Sequence, residues 1–102
     1  MRKELEHIVQ NRLFPLQGKP IHDPEKTVQY QLEEAKFQDG KLLLRVFVVG
    51  SAGNVNYFDT SIDATDMPQL MNRLLVLYLK SENGKIFHAV HKELDTISRN
   101  IY

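Results

Sequence analysis

Between Leu42 and Val49 the chain reads LLLRVFVV, an apolar run broken only by Arg45. Successive side chains of an extended segment point to opposite faces, so a strand here is oily on both sides. Leu42, Leu44, Val46 and Val48 line one face, and Phe47 and Val49 line the other. Both faces then need cover, from the chain's own helices or from another chain.

The flanking residues set this strand in a meander. Asp39-Gly40, in QDGK at 38–41, is a hairpin signal, because both central positions of a type I′ turn require positive φ. Before it, Val28, Tyr30 and Leu32 alternate with Gln29, Gln31 and Glu33, the period of a strand. A two-residue turn sets Phe37 opposite Leu42, Glu34 opposite Arg45, Leu32 opposite Phe47 and Tyr30 opposite Val49. That register gathers Val28, Tyr30, Leu32, Phe47 and Val49 on one face. It leaves Leu42, Leu44, Val46 and Val48 on the other, next to Ala35 and Phe37 but also to Gln31 and Glu33. GSAGN at 50–54 is a second turn, followed by a third strand with Val55 and Tyr57 on one side and Phe58, Thr60 and Ile62 on the other.

Helical spacing takes over outside residues 27–62. Leu5, Ile8 and Val9, with Leu13 and Phe14, mark an N-terminal helix that Pro15 ends. LQGKPIHDPEK reads as an irregular connector, and His22 beside Asp23 and Glu25 as part of a mixed-charge loop. In DATDMPQL, Asp66 suits an N-cap, Gln69 a capping box and Pro68 the first turn. Met67, Leu70, Met71, Leu74, Leu75 and Tyr78 then form one helical stripe, with Gly84 placed for a C-terminal cap. Phe87, Val90, Leu94, Ile97 and Ile101 make the seam of a last helix.

The predicted fold is a single α+β domain over residues 1–102: an N-terminal helix, a three-stranded antiparallel meander, then C-terminal helices. The alternative makes LLVLYLK and KIFHAV into strands joined at Asn83-Gly84, in the order α-βββ-α-ββ-α. That order resembles class I type III secretion chaperones, and the resemblance implies a small dimer that binds other polypeptides.

Candidate chemistry concentrates in KIFHAVHKELD. His88 and His91 are three apart, whereas imidazoles that converge on one metal from a helix favour a spacing of four. Only His91 and Asp95 have that spacing, so the trio reads as the wet flank of the last helix. Asp59, Asp63 and Asp66 lack the alternating oxygen ligands and central glycine of a calcium loop. GSAGN lies between strands, outside the strand-to-helix context of a phosphate loop, and lacks the G-x-S-x-G elbow. The absence of cysteine removes disulfides, thiolate zinc sites and a thiol nucleophile. No catalytic, metal or cofactor residue is assigned.

Thirteen Lys and Arg balance thirteen Asp and Glu, so no net field draws in polyanions. The order helix, three strands, helix is similar to that of double-stranded-RNA-binding domains, which contact phosphates through basic side chains. Here the second helix opens on acidic DATDMPQ, so nucleic acid is not the expected partner. LLVLYL is too short to span a bilayer, and the charged start MRKELEHIVQ is unlike a signal peptide, so a cytoplasmic location is expected. The expected partner is a second copy, in a homodimer, or another protein, with Leu42, Leu44, Val46 and Val48 as the candidate binding residues and no cofactor.

Overall fold

The computed structural model describes residues 1–101, with side chains through Arg99. The elements run α1 (Lys3–Leu13), a 3₁₀ turn (Phe14–Leu16), β1 (Pro20–Asp23), β2 (Val28–Gln38), β3 (Lys41–Val49), β4 (Val55–Asp63), α2 (Met67–Lys80) and α3 (Gly84–Ile101). The class is α+β, as the sequence predicts. Among the described residues the sheet has four antiparallel strands in the order β1-β2-β3-β4. The added strand is β1, inside the segment read as a connector. It is four residues long, starting at Pro20 and stopping before Pro24, too short for alternation to register. Pairing with β2, with Ile21 opposite Tyr30, is what makes it a strand.

The two-residue turn forms as expected, with Asp39 at φ 54° and Gly40 at φ 75°. Phe37 faces Leu42 and Glu34 faces Arg45, but Leu32 faces Val46 and Tyr30 faces Val48. The register slips at Glu33, a β-bulge in which Glu33 and Glu34 together oppose Arg45. A one-residue slip turns every later side chain to the opposite face. Val28, Tyr30 and Leu32 therefore join Ala35, Phe37, Leu42, Leu44, Val46 and Val48 on one face, where the straight register would have split them.

All three helices cover that face. Leu5, Val9 and Leu13 of α1, Met67, Leu70 and Leu74 of α2, and Ile86, Phe87, Val90 and Leu94 of α3 are buried in one cluster with Tyr30, Leu32, Leu42, Leu44, Val46 and Ile62. Helix α3 packs against both α1 and α2, and α2 lies against β4. Ile8 and Phe14, placed on the α1 stripe by spacing, are exposed, as is Leu75 of α2. The Ile101 side chain, the last of the α3 seam, lies outside the described residues.

The helical hairpin, not the strand alternative, follows the meander, and the order shared with the secretion chaperones goes with it. Helix α2 starts where its caps specify. Asp66 Oδ1 accepts from the Gln69 N–H at 2.8 Å, and Gln69 Oε1 accepts from the Thr65 N–H at 2.7 Å, one residue earlier than in a standard capping box. At the far end Ser81 is the C-cap, in extended conformation, donating its N–H to Leu77 O at 2.8 Å. Gly84 does not cap α2; it is buried in the first turn of α3, against the backbone of Tyr78.

Candidate interaction surface

The bulge that unites the core also defines what stays outside it. Of the predicted partner-binding residues, Leu42, Leu44 and Val46 are fully or almost fully buried, and Val48 packs half-buried on the same cluster. The chain's own helices cover Leu42, Leu44 and Val46, and of the four only Val48 keeps part of its surface. The apolar excess of β3 lies on its other side.

That side is the open face of the sheet, away from the helix layer. Leu43, Arg45, Phe47 and Val49 point there from β3, and Val55, Tyr57, Asp59 and Ser61 from β4. Val49 pairs with Val55, Phe47 with Tyr57 and Arg45 with Asp59. Leu43, Phe47 and Val49 are half-buried, whereas Val55 is 48% and Tyr57 60% exposed. The Phe47 and Tyr57 rings meet edge to face, with centroids 4.9 Å apart. Such an aromatic pair contributes roughly 0.5–1.5 kcal/mol beyond area burial and stiffens the two strands at this point.

Beyond the rings the face becomes charged. Arg45 Nε donates to Asp59 Oδ1 at 2.9 Å and Arg45 Nη2 to Asp59 Oδ2 at 3.3 Å, a two-pronged pair. The hydrogen bonds from Arg45 hold the Asp59 carboxyl below its ordinary range, and Asp59 in turn raises the guanidinium. Lys36 lies 3.2 Å from Glu34 alongside. These four side chains ring a shallow depression of about 390 Å³ with Leu43 at its floor. One surface thus carries an aromatic-aliphatic end and an internally neutralised charged end.

The other candidates are spread over the fold. His88 stacks on Tyr78 across the α2-α3 hairpin, with centroids 4.6 Å apart. Asp95 Oδ2 pairs with Arg99 Nη2 at 2.8 Å, one helical turn on. His91 is half-buried on α3. His22 is exposed on β1, while Asp23 is buried, its Oδ1 accepting from the Glu25 N–H at 3.2 Å. Asp59 serves Arg45 and Asp66 caps α2, so the acids at 59, 63 and 66 do not converge. Among the described residues no group of three or more His, Asp or Glu is placed to hold a metal. No described helix is long and apolar enough to cross a membrane.

The sequence carries a trace of the bulge but not of which face the helices cover. Apolar residues fall at 28, 30 and 32 and then at 35 and 37, a change of phase at Glu33-Glu34 that marks the bulge. Comparisons with protein-family models, curated proteins and solved structures give no match, so the function is read from these residues alone.

Proposed function

We propose that this chain is a small, non-catalytic, cytoplasmic protein-interaction module that self-associates and receives polypeptide on the open face of its sheet. The observation that carries the reading is the apolar stripe of Val49, Val55, Phe47 and Tyr57, which no helix covers and of which Val55 and Tyr57 are exposed and Phe47 and Val49 half-buried. Contiguous apolar surface of this kind marks interaction sites on soluble proteins. Aromatic side chains are also the residues on which binding energy concentrates. A chain of 102 residues hides a smaller share of its surface than a larger one does, which favours burial through association.

The test is sedimentation across a dilution series at low and high salt, with the wild-type chain and with Phe47→Ser. A concentration-dependent mass that persists at high salt supports the reading. A monomer at every concentration, with no bound polypeptide, refutes it.

A second reading has one observation in its favour. An aromatic pair beside Arg45 on an open antiparallel sheet is a geometry on which unpaired bases stack. Glu33, Glu34 and Asp59 on or beside the same face count against it. Phosphate-driven binding weakens steeply as salt rises, whereas apolar association does not, so the two salt conditions separate the readings.

A further inference from the structure

The two rims of the sheet are treated differently. On one side, β1 covers Val28–Gln31 of β2. Where β1 stops, Leu32 O accepts from the Gly18 N–H at 2.9 Å, and the Phe37 N–H donates to Gln10 Oε1 of α1 at 3.0 Å. That rim is a four-residue strand starting at Pro20, continued by side-chain and loop contacts, which are the usual devices that stop a sheet from growing. On the other side, β4 pairs with β3 alone among the described residues. It runs nine residues and contains neither proline nor lysine.

The direction of its free backbone groups follows from one hydrogen bond. The Gly50 N–H donates to Asn54 O at 2.9 Å, making residues 50 and 54 a hydrogen-bonded pair. Antiparallel pairs alternate, so Asn56, Phe58, Thr60 and Ile62 bond to β3 while Val55, Tyr57, Asp59, Ser61 and Asp63 turn their N–H and C=O outward. Those outward groups form a template for one more strand.

Beneath this rim, α2 carries apolar side chains that the chain does not bury: Leu75 is 38%, Val76 42% and Leu79 77% exposed. Val76 and Leu77 share a shallow cleft with Ser61, Ile62 and Asp63, which places this side of α2 against the β4 edge. The outer stripe of the helix and the free strand thus border one side of the molecule.

We propose that two copies of this chain join along β4, each strand extending the other's sheet antiparallel about a two-fold axis, with α2 meeting α2 of the second copy under the seam. A lone extended peptide would satisfy the strand but leave Leu75, Val76 and Leu79 wet. A second copy brings a matching helix at the matching offset, as an isologous contact requires. Charge permits the pairing: the molecule has no net charge, and Asp59 already has Arg45 as partner. A register centred on Phe58 sets Asp59 opposite Tyr57 of the second copy and Val55 opposite Ser61, with no two carboxylates facing. The seam rests on the reading above only in that the chain self-associates, and it leaves the open face free to receive polypeptide.

Two variants and one exchange measurement test it. Ser61→Pro removes an outward N–H without touching the bonds to β3, which is the position where an edge strand tolerates proline. Leu79→Glu charges a side chain that carries no part of the fold. Each is expected to weaken dimerisation about tenfold or more in sedimentation, with circular dichroism unchanged for Leu79→Glu. In the wild type, the amides of Val55, Tyr57, Asp59 and Ser61 are expected to gain exchange protection as concentration rises. A dimer that forms with wild-type affinity in both variants, without protecting those amides, overturns the seam; if Phe47→Ser dissociates that dimer, self-association through the open face survives. A wild-type chain that stays monomeric overturns both the seam and self-association. Protection of the β4 amides only on adding an extended peptide replaces the second copy by a foreign strand and equally overturns the dimer.

Discussion

Gly84 lies directly against the carbonyl oxygen of Tyr78, so close that a Cβ at residue 84 would overlap it. Its φ is not left-handed, so glycine is needed here for close approach and not for backbone freedom. The contact lets α3 turn back on α2 within the three residues between Lys80 and Gly84. It also keeps His88 stacked on Tyr78. The obstacle is backbone, which cannot swing aside as a flexible side chain would. Gly84→Ala is therefore expected to cost about 2 kcal/mol or more, read as a lowered urea midpoint. Ser81→Ala, which removes a single side-chain acceptor for the Asn83 N–H, should cost about 1 kcal/mol. Equal midpoints for Gly84→Ala and wild type would show that the hairpin does not depend on this contact.

The bulge makes a sharper prediction. Deleting Glu33 removes the extra residue that keeps Tyr30 and Leu32 in phase with Leu44 and Val46. Either the pairing beyond residue 33 breaks, or two fully buried side chains turn to the open face. Losing the burial of even one such residue costs roughly 2–5 kcal/mol, so the deletion is expected to unfold the domain or leave it molten. Glu33→Ala keeps the residue count and is expected to change stability by no more than about 0.5 kcal/mol. Near-ultraviolet circular dichroism, which reports the packing of Tyr30, separates the two variants.

Tyr30 supplies a pH dependence. Its ring is buried, and its hydroxyl donates to Asn83 Oδ1 at 3.2 Å, tying β2 to the helical hairpin. Burial raises the phenol pKa above its ordinary value, and the nearby carboxylates Asp23 and Glu82 raise it further. A raised folded pKa means that the native state holds the proton more tightly than the unfolded chain. The resulting stabilisation is complete below the unfolded value of about 10 and disappears as pH climbs through the higher folded value. Stability should therefore decline in alkali, and Tyr30→Phe should flatten that decline. An ultraviolet titration in which every tyrosine ionises at the ordinary pKa would contradict this.

How much was legible in the sequence follows from the range of each interaction. The helix stripes of Leu5, Val9 and Leu13 and of Phe87, Val90 and Leu94, the Asp66 cap and the Asp39-Gly40 turn all depend on residues within a few positions of one another. Their spacing alone announces them. Strand β1 does not announce itself, because a four-residue segment that starts on one proline and stops before another becomes a strand only when β2 lies alongside. The block from Leu74 to Leu79 suits a buried helix or a buried strand by composition, and the continuous face from Met67 to Leu74 against the core decides for the helix.

The placement of the apolar excess was decided only in three dimensions. The sequence alone determined that β3 would be oily on both sides and would need cover. It could not determine which side the helices would take, because that depends on the phase of β2 across the hairpin, and the bulge at Glu33 shifts that phase by one residue. Once Tyr30 and Leu32 turn toward Leu44 and Val46, burial strongly favours helices on that face, and on the other Phe47 and Val49 stay half-buried and Val55 and Tyr57 exposed. Period is a local property of the chain, whereas the choice of buried face is a sum over all strands and helices, made only when they pack.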